Sequence, residues 1–380
     1  MMAGAAMPLR CIGAVSNRDG TLLNVIGIDL IGYLEERLLA DHSVSCADWA
    51  EAYGQNLSQS LARFPHVDRL ICLIRDCVCR LIDAAFPVVV GYYPVGQSAP
   101  MLITGDTDDA TQDQLELYCS AIWSVKAQPC VIVMDFERFD IDSLIHLARS
   151  GVCFGVHPYA ESGTEDEFRR RVNDLCRTYR GLFGIPPSAI RNHRFQWIGR
   201  QTNVELEVDH DVTFDLNCVA VNDQTWLGSA SGVAFPIAYP PRSRGYRREP
   251  LHLPTCVEDD VFLFTLDYCY KPYLDGDQSP SSTSATFLDD WVLKQGNPAV
   301  LNLHPERVES RTRYLLDAVL AWAANTDVWT PSLRMFGDWL EERERSRLSI
   351  TVDGSEILVK VSGSSRLELL ERSPQCHFSY

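Results

Sequence analysis

Carboxylate and imidazole side chains recur in this sequence at the points where short apolar runs end. Such side chains bind divalent cations, and imidazole exchanges protons near neutral pH. The positions are Asp108 and Asp109 after Met101–Thr104, Asp135 after Cys130–Met134, His157 after Val152–Val156, His193 after Ala189–Ile190, Asp215 after Val212–Phe214 and His304 after Ala299–Leu303. A cation held by such a set polarises carbonyl groups and activates water. The pattern therefore predicts a metal-dependent hydrolase.

Each of these residues also has an ordinary structural alternative. An Asp after a strand is usually a helix N-cap, and this is the role expected of Asp113 and Asp142. A single His after a strand is more often a hydrogen-bonded structural residue than a ligand. Three histidines and an Asp pair share one structural position here, which favours a common site. His157 and His304 each precede a proline, which favours extended backbone at both.

The elements that must position these side chains are short apolar runs alternating with helix-like segments. In Glu165–Leu182 and Arg307–Asn325 the apolar residues fall on one helical face. Strands that alternate with helices form βα units, and the C-terminal ends of barrel strands meet at one rim. We therefore expect an α/β fold with an incomplete (β/α)7-type barrel at residues 88–330. Within it, Pro240–Asp260 is expected to be a long excursion and Gly276–Ala285 a flexible loop.

Two flanking segments complete the predicted organisation. Residues 1–87 are expected to be a mainly helical N-terminal segment. Residues 331–380 are expected to form one helix, Leu333–Arg345, followed by a small β module. Asp353–Gly354 is a strong hairpin signal within that module.

The first polar motif of the barrel resembles that of the polysaccharide deacetylases with a NodB-homology domain, which form carbohydrate esterase family four. That family has the motif TFDDG after its first barrel strand, and this chain has TGDTDDA at 104–110. The resemblance implies that Asp108 acts as the base and that Asp109 binds the metal. The second family motif has two histidines four residues apart. His157 matches the first of them, whereas Glu161 stands at the position of the second.

The later motifs extend the resemblance over roughly residues 88–325. Arg191 matches the Arg of the third motif and is expected to hold Asp108 in place. The next His along the chain, His193, is inferred to supply the missing imidazole, with Glu161 as the competing ligand. The final motif, LNLH at 301–304, implies that His304 is the general acid. Asp215 resembles the Asp that orients that histidine.

Composition and charge exclude several classes of function. The chain has 380 residues and a formal net charge of −17, and it has no long basic run, which argues against nucleic-acid binding. Its 13 cysteines are an odd number without a zinc-ribbon spacing, as expected of buried thiols in a reducing compartment. The sequence shows no secretory signal and no membrane-length apolar run. We therefore expect a cytoplasmic protein that is not inserted in a membrane.

The expected function is removal of an acyl group, such as acetyl, from an N-acylated sugar or glycan precursor. The expected cofactor is a divalent metal, Zn²⁺, held by Asp109, His157 and His193. Two alternatives stay open. One is a barrel amidohydrolase that acts on a small or cyclic amide, and the other is a non-catalytic barrel that binds a sugar or a protein partner. A magnesium–phosphate site is disfavoured because Mg²⁺ prefers oxygen ligands.

Overall fold

The computed structural model describes most of the predicted barrel and several strands outside it. The described residues are 92–94, 96–198, 202–218, 234–238, 250–259, 280–309 and 313–345, with strands at 12–16, 22–26, 89–90, 347–353, 356–362 and 369–370. In this part of the chain no helix is long and apolar enough to cross a membrane.

A nine-stranded sheet forms the centre of the fold. Its strands are β4 (Met101–Thr107), β5 (Pro129–Val133), β6 (Cys153–Val156), β7 (Ala189–Ile190), β8 (Phe214–Asp215), β9 (Ile237–Ala238), β10 (Leu251–His252), β11 (Thr255–Glu258) and β12 (Ala299–Asn302). Their order is β11-β12-β4-β5-β6-β7-β8-β10-β9, and all neighbours are parallel except the antiparallel pair of β9 with β10. No ladder between the described residues joins β11 to β9, so the curled sheet stays open. This confirms the predicted incomplete barrel, with eight parallel strands.

Helices follow most of the parallel strands. They are α1 (Gln112–Trp123), α2 (Ile141–Arg149), α3 (Glu165–Phe183), α4 (Thr202–Asp209), α5 (Pro280–Leu288), α6 (Arg313–Asn325) and α7 (Leu333–Arg345). Thr111 and Gln114 form a capping box at the start of α1, and the Asp140 carboxylate caps α2. Gly184 ends α3 with φ of 72°, a left-handed conformation that favours glycine.

Alternation along the strands divides the side chains between two cores. On β4, Met101 and Ile103 join the cluster under the surrounding helices, whereas Leu102 joins the cluster inside the barrel. Gly105 faces the helices. A Cβ there would lie 2.3 Å from the carbonyl oxygen of Leu303 and 2.8 Å from the hydroxyl of Tyr118, so only glycine fits.

Helix α7 contributes to the interior cluster, although the sequence places it after the predicted barrel. Leu333, Phe336 and Trp339 of this helix are buried with Leu102 and Phe214 of the strands. Burying each such side chain stabilises the fold by about 1.5–3 kcal/mol. The helix therefore buries apolar side chains of the strands together with its own.

The C-terminal β module contains a hairpin. It consists of β13 (Arg347–Asp353) and β14 (Glu356–Ser362), which pair antiparallel around the predicted turn. The last strand, β15 (Leu369–Leu370), pairs with β3 (Val89–Val90) rather than with the hairpin. The run around β3 was expected to begin the barrel, but this strand lies in its own two-stranded sheet.

Two predictions within the barrel are wrong. Pro240–Asp260 contains β10 and β11, whose two and four residues are too short and too polar to show strand periodicity. Gly276–Ala285 is helical from Pro280 onward, where α5 begins.

At the N-terminus, where helices were expected, the described residues form a β-hairpin of β1 (Ile12–Ser16) and β2 (Leu22–Ile26). The rest of residues 1–87 lies outside the described residues.

Candidate active site

Three side chains that follow three strands of the sheet converge at its C-terminal edge. Asp108 follows β4, His157 follows β6 and His193 follows β7. His157 Nε2 lies 3.1 Å from Asp108 Oδ1 and 3.3 Å from His193 Nδ1, and His193 Nδ1 lies 3.2 Å from Asp108 Oδ1. One oxygen and two nitrogens therefore form a nearly equilateral triangle, with each residue offering one ligand atom.

The triangle fits a zinc-type cation in size and chemistry. Zinc binds imidazole and carboxylate at ~2.0–2.2 Å, so ligand atoms around a tetrahedral ion stand ~3.3–3.6 Å apart, and those around an octahedral ion ~2.8–3.1 Å apart. The observed separations of 3.1–3.3 Å fall between these values. Three protein ligands also leave further coordination positions open, as in catalytic zinc sites.

The tautomer of His157 suits it to act as a ligand. Its Nδ1 lies 2.6 Å from the carbonyl oxygen of Arg191, which only accepts hydrogen bonds, so Nδ1 carries the proton. In the neutral ring, Nε2 therefore presents its lone pair to Asp108 and His193. A backbone carbonyl that fixes the ring in this way is the usual outer partner of a metal-binding His.

Asp109 lies outside this group. Its side chain is 89% exposed, and its carboxylate pairs with Arg138 at 3.3 Å. The same guanidinium donates to the backbone carbonyl of Asp108 at 2.7 Å. The geometry thus brings Asp108, rather than the expected Asp109, between the two histidines. Glu161, the competing ligand, is exposed and belongs to none of the metal-capable groups found among the described residues.

The site rests on a buried polar layer around Arg191. Its guanidinium donates to Asp106 Oδ1 at 2.8 Å and to the hydroxyls of Thr104 at 2.8 Å and Thr255 at 3.1 Å. Asn302 donates to the other oxygen of Asp106 at 2.8 Å. Arg191 is therefore partnered with Asp106, not with Asp108 as expected. A charged pair at this depth is tolerated because hydrogen bonds satisfy both members.

Charged and hydrogen-bonding neighbours shift the pKa values of two of the three ligands. Burial alone would raise the pKa of Asp108, but hydrogen bonds with His157 and His193 outweigh burial and hold that pKa well below its usual value. Burial would lower the pKa of His157, and the carboxylates of Asp106 and Asp108 instead raise it. The carboxylate of Asp108 and the imidazole of His157 thus each stabilise the charged form of the other.

His193 is held by a strained loop. The two residues after it, Arg194 and Phe195, have φ of 57° and 53°, which costs roughly 1–3 kcal/mol each for non-glycine residues. The amide of Asn192 donates to the carbonyl of Gln196 at 2.6 Å, and the backbone N–H of His193 donates to Pro158 at 2.9 Å. These bonds maintain a conformation that turns the imidazole toward His157.

His304 stands beside the triangle and is oriented by Asp259. His304 Nδ1 lies 2.6 Å from Asp259 Oδ1, and its backbone N–H donates to the other carboxylate oxygen at 2.8 Å. The carboxylate accepts, so Nδ1 carries a proton and Nε2 is the proton-exchanging atom. That Nε2 lies 3.9 Å from Asp108 Oδ2. The pair has the geometry of a histidine whose tautomer is fixed for proton transfer.

Glu306 adds a second titratable group next to His304. One ligand atom each from Asp108, His304 and Glu306 lies within 4.8 Å of the others. Glu306 Oε2 is buried and has no hydrogen-bond partner among the described residues. Burial raises the pKa of this carboxyl to about 7, against the opposing charge of His304. The group therefore exchanges protons in the neutral range.

Asp215 does not reach His304, which it was expected to orient. Its Oδ2 lies 2.8 Å from His252 Nδ1, and both side chains are fully buried in a separate group with Glu207. The position of Asp259 explains the error. This residue follows β11, which lies next to β12 in the sheet. Asp215 ends β8, which four strands separate from β12.

Three residues at the site were missed from the sequence. Asp106 belongs to the first motif, and extending the alternation of β4 by one step would have found it. Glu306 follows His304 by two residues and gives no periodic signal. Asp259 lies in the stretch expected to be an excursion, where only the acidic run at 258–260 hints at a function.

Comparisons with known proteins give similarity in structure only. No family model matches the chain, and no curated protein matches its sequence. A protein assigned as a polysaccharide deacetylase from Mycobacterium smegmatis is 14% identical, with a TM-score of 0.49 over 68% of this chain and 95% of that one. A peptidoglycan deacetylase from Bacillus subtilis is 13% identical, with a TM-score of 0.38 over 65% and 94%. The chitin deacetylase of Colletotrichum lindemuthianum is 14% identical, with a TM-score of 0.33 over 62% and 88%. At these values the similarity concerns the fold and carries no argument about function.

Proposed function

We propose that this protein is a metal-dependent hydrolase that removes an acyl group, such as acetyl, from the nitrogen of an N-acylated sugar or glycan precursor. The observation that carries the proposal is the triangle of ligand atoms on Asp108, His157 and His193, at separations of 3.1–3.3 Å. A proton-exchanging His304 beside the triangle completes a site for amide hydrolysis.

Asp108, His157 and His193 are the residues that would hold the metal. When bound there, a zinc-type cation supplies Lewis-acid polarisation of the acyl carbonyl. Two features keep the three ligand atoms directed at one point, a hydrogen bond to His157 and the loop that carries His193. The backbone carbonyl oxygen of Arg191 accepts a hydrogen bond from His157 Nδ1, and the loop after β7 fixes His193. The buried ion pair of Arg191 with Asp106 fixes the position of Arg191, which provides that carbonyl and precedes His193 by two residues.

His304 is the proposed proton-transfer group. Its Nε2 takes a proton from the attacking water and delivers it to the leaving nitrogen, which could not depart as an amide anion. Asp259 keeps the proton of the ring on Nδ1 and stabilises the imidazolium form between the two transfers. Asp108 was expected to act as the base, but its ligand position leaves that role to His304, with Glu306 as the adjacent carboxyl.

The sugar class of the substrate follows from the resemblance of the first and last motifs, and one ring supports it. Tyr159 is half-buried, and its ring centroid lies 4.6 Å from that of His193. An aromatic face next to the ligands offers an apolar surface against which a sugar ring can pack.

We further propose that the substrate is a nucleotide-linked or lipid-linked precursor in the cytoplasm. The thiols of the described residues support a reducing compartment. Cys130 and Cys153 lie opposite each other on β5 and β6, and both are free thiols.

The alternative of a non-catalytic barrel rested on the Glu at position 161, where a His was expected. The structure weakens that alternative, because His193 supplies an imidazole 3.3 Å from His157. The alternative of a small-amide hydrolase shares the same ligands and differs only in substrate.

The test is acyl release by chelator-treated protein before and after Zn²⁺ is restored. Nucleotide-linked N-acetyl sugars, N-acetylated oligosaccharides and small cyclic amides are offered in parallel, and free acetate or ring opening is measured. We expect zinc-dependent acetate release from a sugar substrate, loss of release and of the zinc bound at the triangle in His193→Ala, and retention of both in the matched variant Glu161→Ala. Zinc binding that is unchanged in His193→Ala would overturn the site, and turnover of the cyclic amides alone would overturn the substrate class.

A further inference from the structure

A second group of metal-capable side chains lies apart from the proposed active site. Glu207 is on α4, Asp215 ends β8 and His252 ends β10, so three separate elements contribute one residue each. One ligand atom from each lies within 4.8 Å of the others. All three residues are buried, with exposures of 1%, 0% and 0%. The thiol of Cys218 lies 3.6 Å from His252 Nδ1, at the edge of the group.

The carboxylates of this group are poorly satisfied for their depth. Among the described residues, no donor group reaches either carboxylate oxygen of Glu207 or Asp215 Oδ2 in hydrogen-bond geometry, and the two carboxyl groups face each other closely enough to share a proton. His252 Nδ1 lies 2.8 Å from that Oδ2, within ion-pair range but outside hydrogen-bond geometry. Buried polar atoms in native proteins are nearly always partnered, and buried charges are paired or coordinate metals. Two carboxylates at this depth therefore need either a shared proton or a cation between them.

We propose that Glu207, Asp215 and His252 bind a second divalent cation, of the zinc or manganese class. Two carboxylates and one imidazole are ligands that such ions accept. An imidazole ligand and a nearby thiol disfavour Mg²⁺ and Ca²⁺, which take oxygen ligands. A cation here would bind the oxygens of Glu207 and Asp215 that no donor group of the described residues reaches.

The position of the group gives the second cation a structural role. The other oxygen of Asp215 accepts from the backbone N–H of Asn217 at 2.7 Å and from its side-chain amide at 2.6 Å. The side-chain oxygen of Asn217 in turn accepts from the backbone N–H of Asn192 at 2.6 Å. Asn192 directly precedes His193, so a cation at Asp215 braces the loop that carries a ligand of the first site. This inference does not depend on the proposed reaction.

A proton is the competing occupant of the group. Burial, together with the neighbouring Asp215, raises the pKa of Glu207 well above its usual value, so the metal-free protein keeps this carboxyl protonated. A cation would displace that proton on binding. Glu207→Gln imitates the protonated carboxyl, and we therefore expect this variant to fold while losing an anionic ligand.

The experiment titrates chelator-treated protein with Zn²⁺ alone and counts the zinc retained per chain after desalting. We expect two ions in the wild-type protein, one in Asp108→Asn and one in Glu207→Gln. Glu205→Gln is the matched control. Glu205 lies on the same helix but pairs with Arg169 at the surface, so this variant should keep both ions. In Asp108→Asn, added Zn²⁺ should raise the melting temperature, and the further change Glu207→Gln should abolish that rise.

Three results would overturn the second site. They are one ion in the wild-type protein with no change in Glu207→Gln, no ion in Asp108→Asn, or equal losses in Glu205→Gln and Glu207→Gln. The first result would mean that Glu207 and Asp215 share a proton and bind no cation. Failure of the proposed reaction would appear differently, as two bound ions without acyl release, and would leave the second site standing.

Discussion

The paired substitutions Asp108→Asn and Asp109→Asn test the assignment of the metal ligand most directly. Both remove one negative charge and keep the shape of the side chain. Asp108 Oδ1 lies 3.1 and 3.2 Å from the two imidazole nitrogens, so its loss removes the only anionic ligand of the triangle. Mutating residues that merely support a ligand already weakens metal affinity 10–100-fold. We expect Asp108→Asn to weaken Zn²⁺ binding at the first site by more than ~100-fold.

The neighbouring substitution should have almost no effect. The Asp109 side chain is 89% exposed, and its single ion pair with Arg138 spans 3.3 Å at the surface. Exposed pairs of this kind contribute about 0–1 kcal/mol. Zinc affinity and acyl release in Asp109→Asn should therefore stay within a few-fold of the wild-type values, and the melting temperature should hardly change.

The assay is competition for Zn²⁺ with a chromophoric chelator, followed by acyl release at saturating zinc. Both substitutions are made in a Glu207→Gln background, so that zinc bound at the group of Glu207 and Asp215 does not contribute to the measurement. If Asp109→Asn loses zinc and Asp108→Asn keeps it, the ligand geometry is refuted. If both lose zinc equally, the charge of the loop matters rather than one coordinating oxygen.

Three further changes test the proton-transfer pair, the titration of the pocket and the packing of the fold. Asp259→Asn should lower kcat by ~10²–10⁴-fold while leaving bound zinc unchanged, because the carboxylate orients the proton-transfer imidazole without touching the metal; loss of zinc would contradict this. In metal-free protein, Glu306 has its pKa raised to about 7, so its contribution to stability is complete below pH ~4.5 and is lost as pH rises through 7. The free energy of unfolding, measured in urea, should fall by at most about 3 kcal/mol over this pH range. If the same pH dependence persists in Glu306→Gln, Glu306 is not the group responsible. Gly337→Ala should lower the free energy of unfolding by about 1–3 kcal/mol, because the new Cβ would lie 2.5 Å from the buried Phe214 ring. Gly181→Ala, whose Cβ would have no atom within 4 Å, should raise it by up to about 1 kcal/mol. Equal effects of the two substitutions would contradict the packing of α7.

The fold could be predicted from the sequence where strands and helices are long enough to show a period. The apolar runs of β4, β5, β6 and β12 and the amphipathic helices α3 and α6 gave a parallel sheet with a polar rim. The short strands β10 and β11 could not be recognised in this way. Their inward side chains include His252 and Thr255, which belong to polar groups of the interior, so no apolar alternation exists to detect.

The ligand register shows how one misplaced strand end changes a site. The apolar residues of the first run stop before Thr104, and a strand ending there leaves the following Asp residues without defined faces. The strand in fact continues to Thr107. Because faces alternate, Leu102, Thr104 and Asp106 point inward. Asp108 has the same parity as these residues, and Asp109 has the opposite one. A buried polar layer thus lengthened a strand that hydrophobicity alone would end early.

The identity of the group that orients His304 depended on contacts between distant residues. Asp215 had the expected neighbours in sequence, but the sheet order puts it near His252, and it puts Asp259 next to His304. No local pattern distinguishes the two carboxylates. Only the order of strands across the sheet does so, and that order becomes apparent when β11 is found to pair with β12.

The delivery of an imidazole by the loop after β7 bears on how a metal-capable site can be recognised. What a cation requires is a donor atom at a given location, whichever strand supplies it. Here the loop brings His193 into place through the unusual torsions of Arg194 and Phe195. A search built on the order of residues in a motif would overlook this arrangement. A search for three donor atoms at fixed separations would find it.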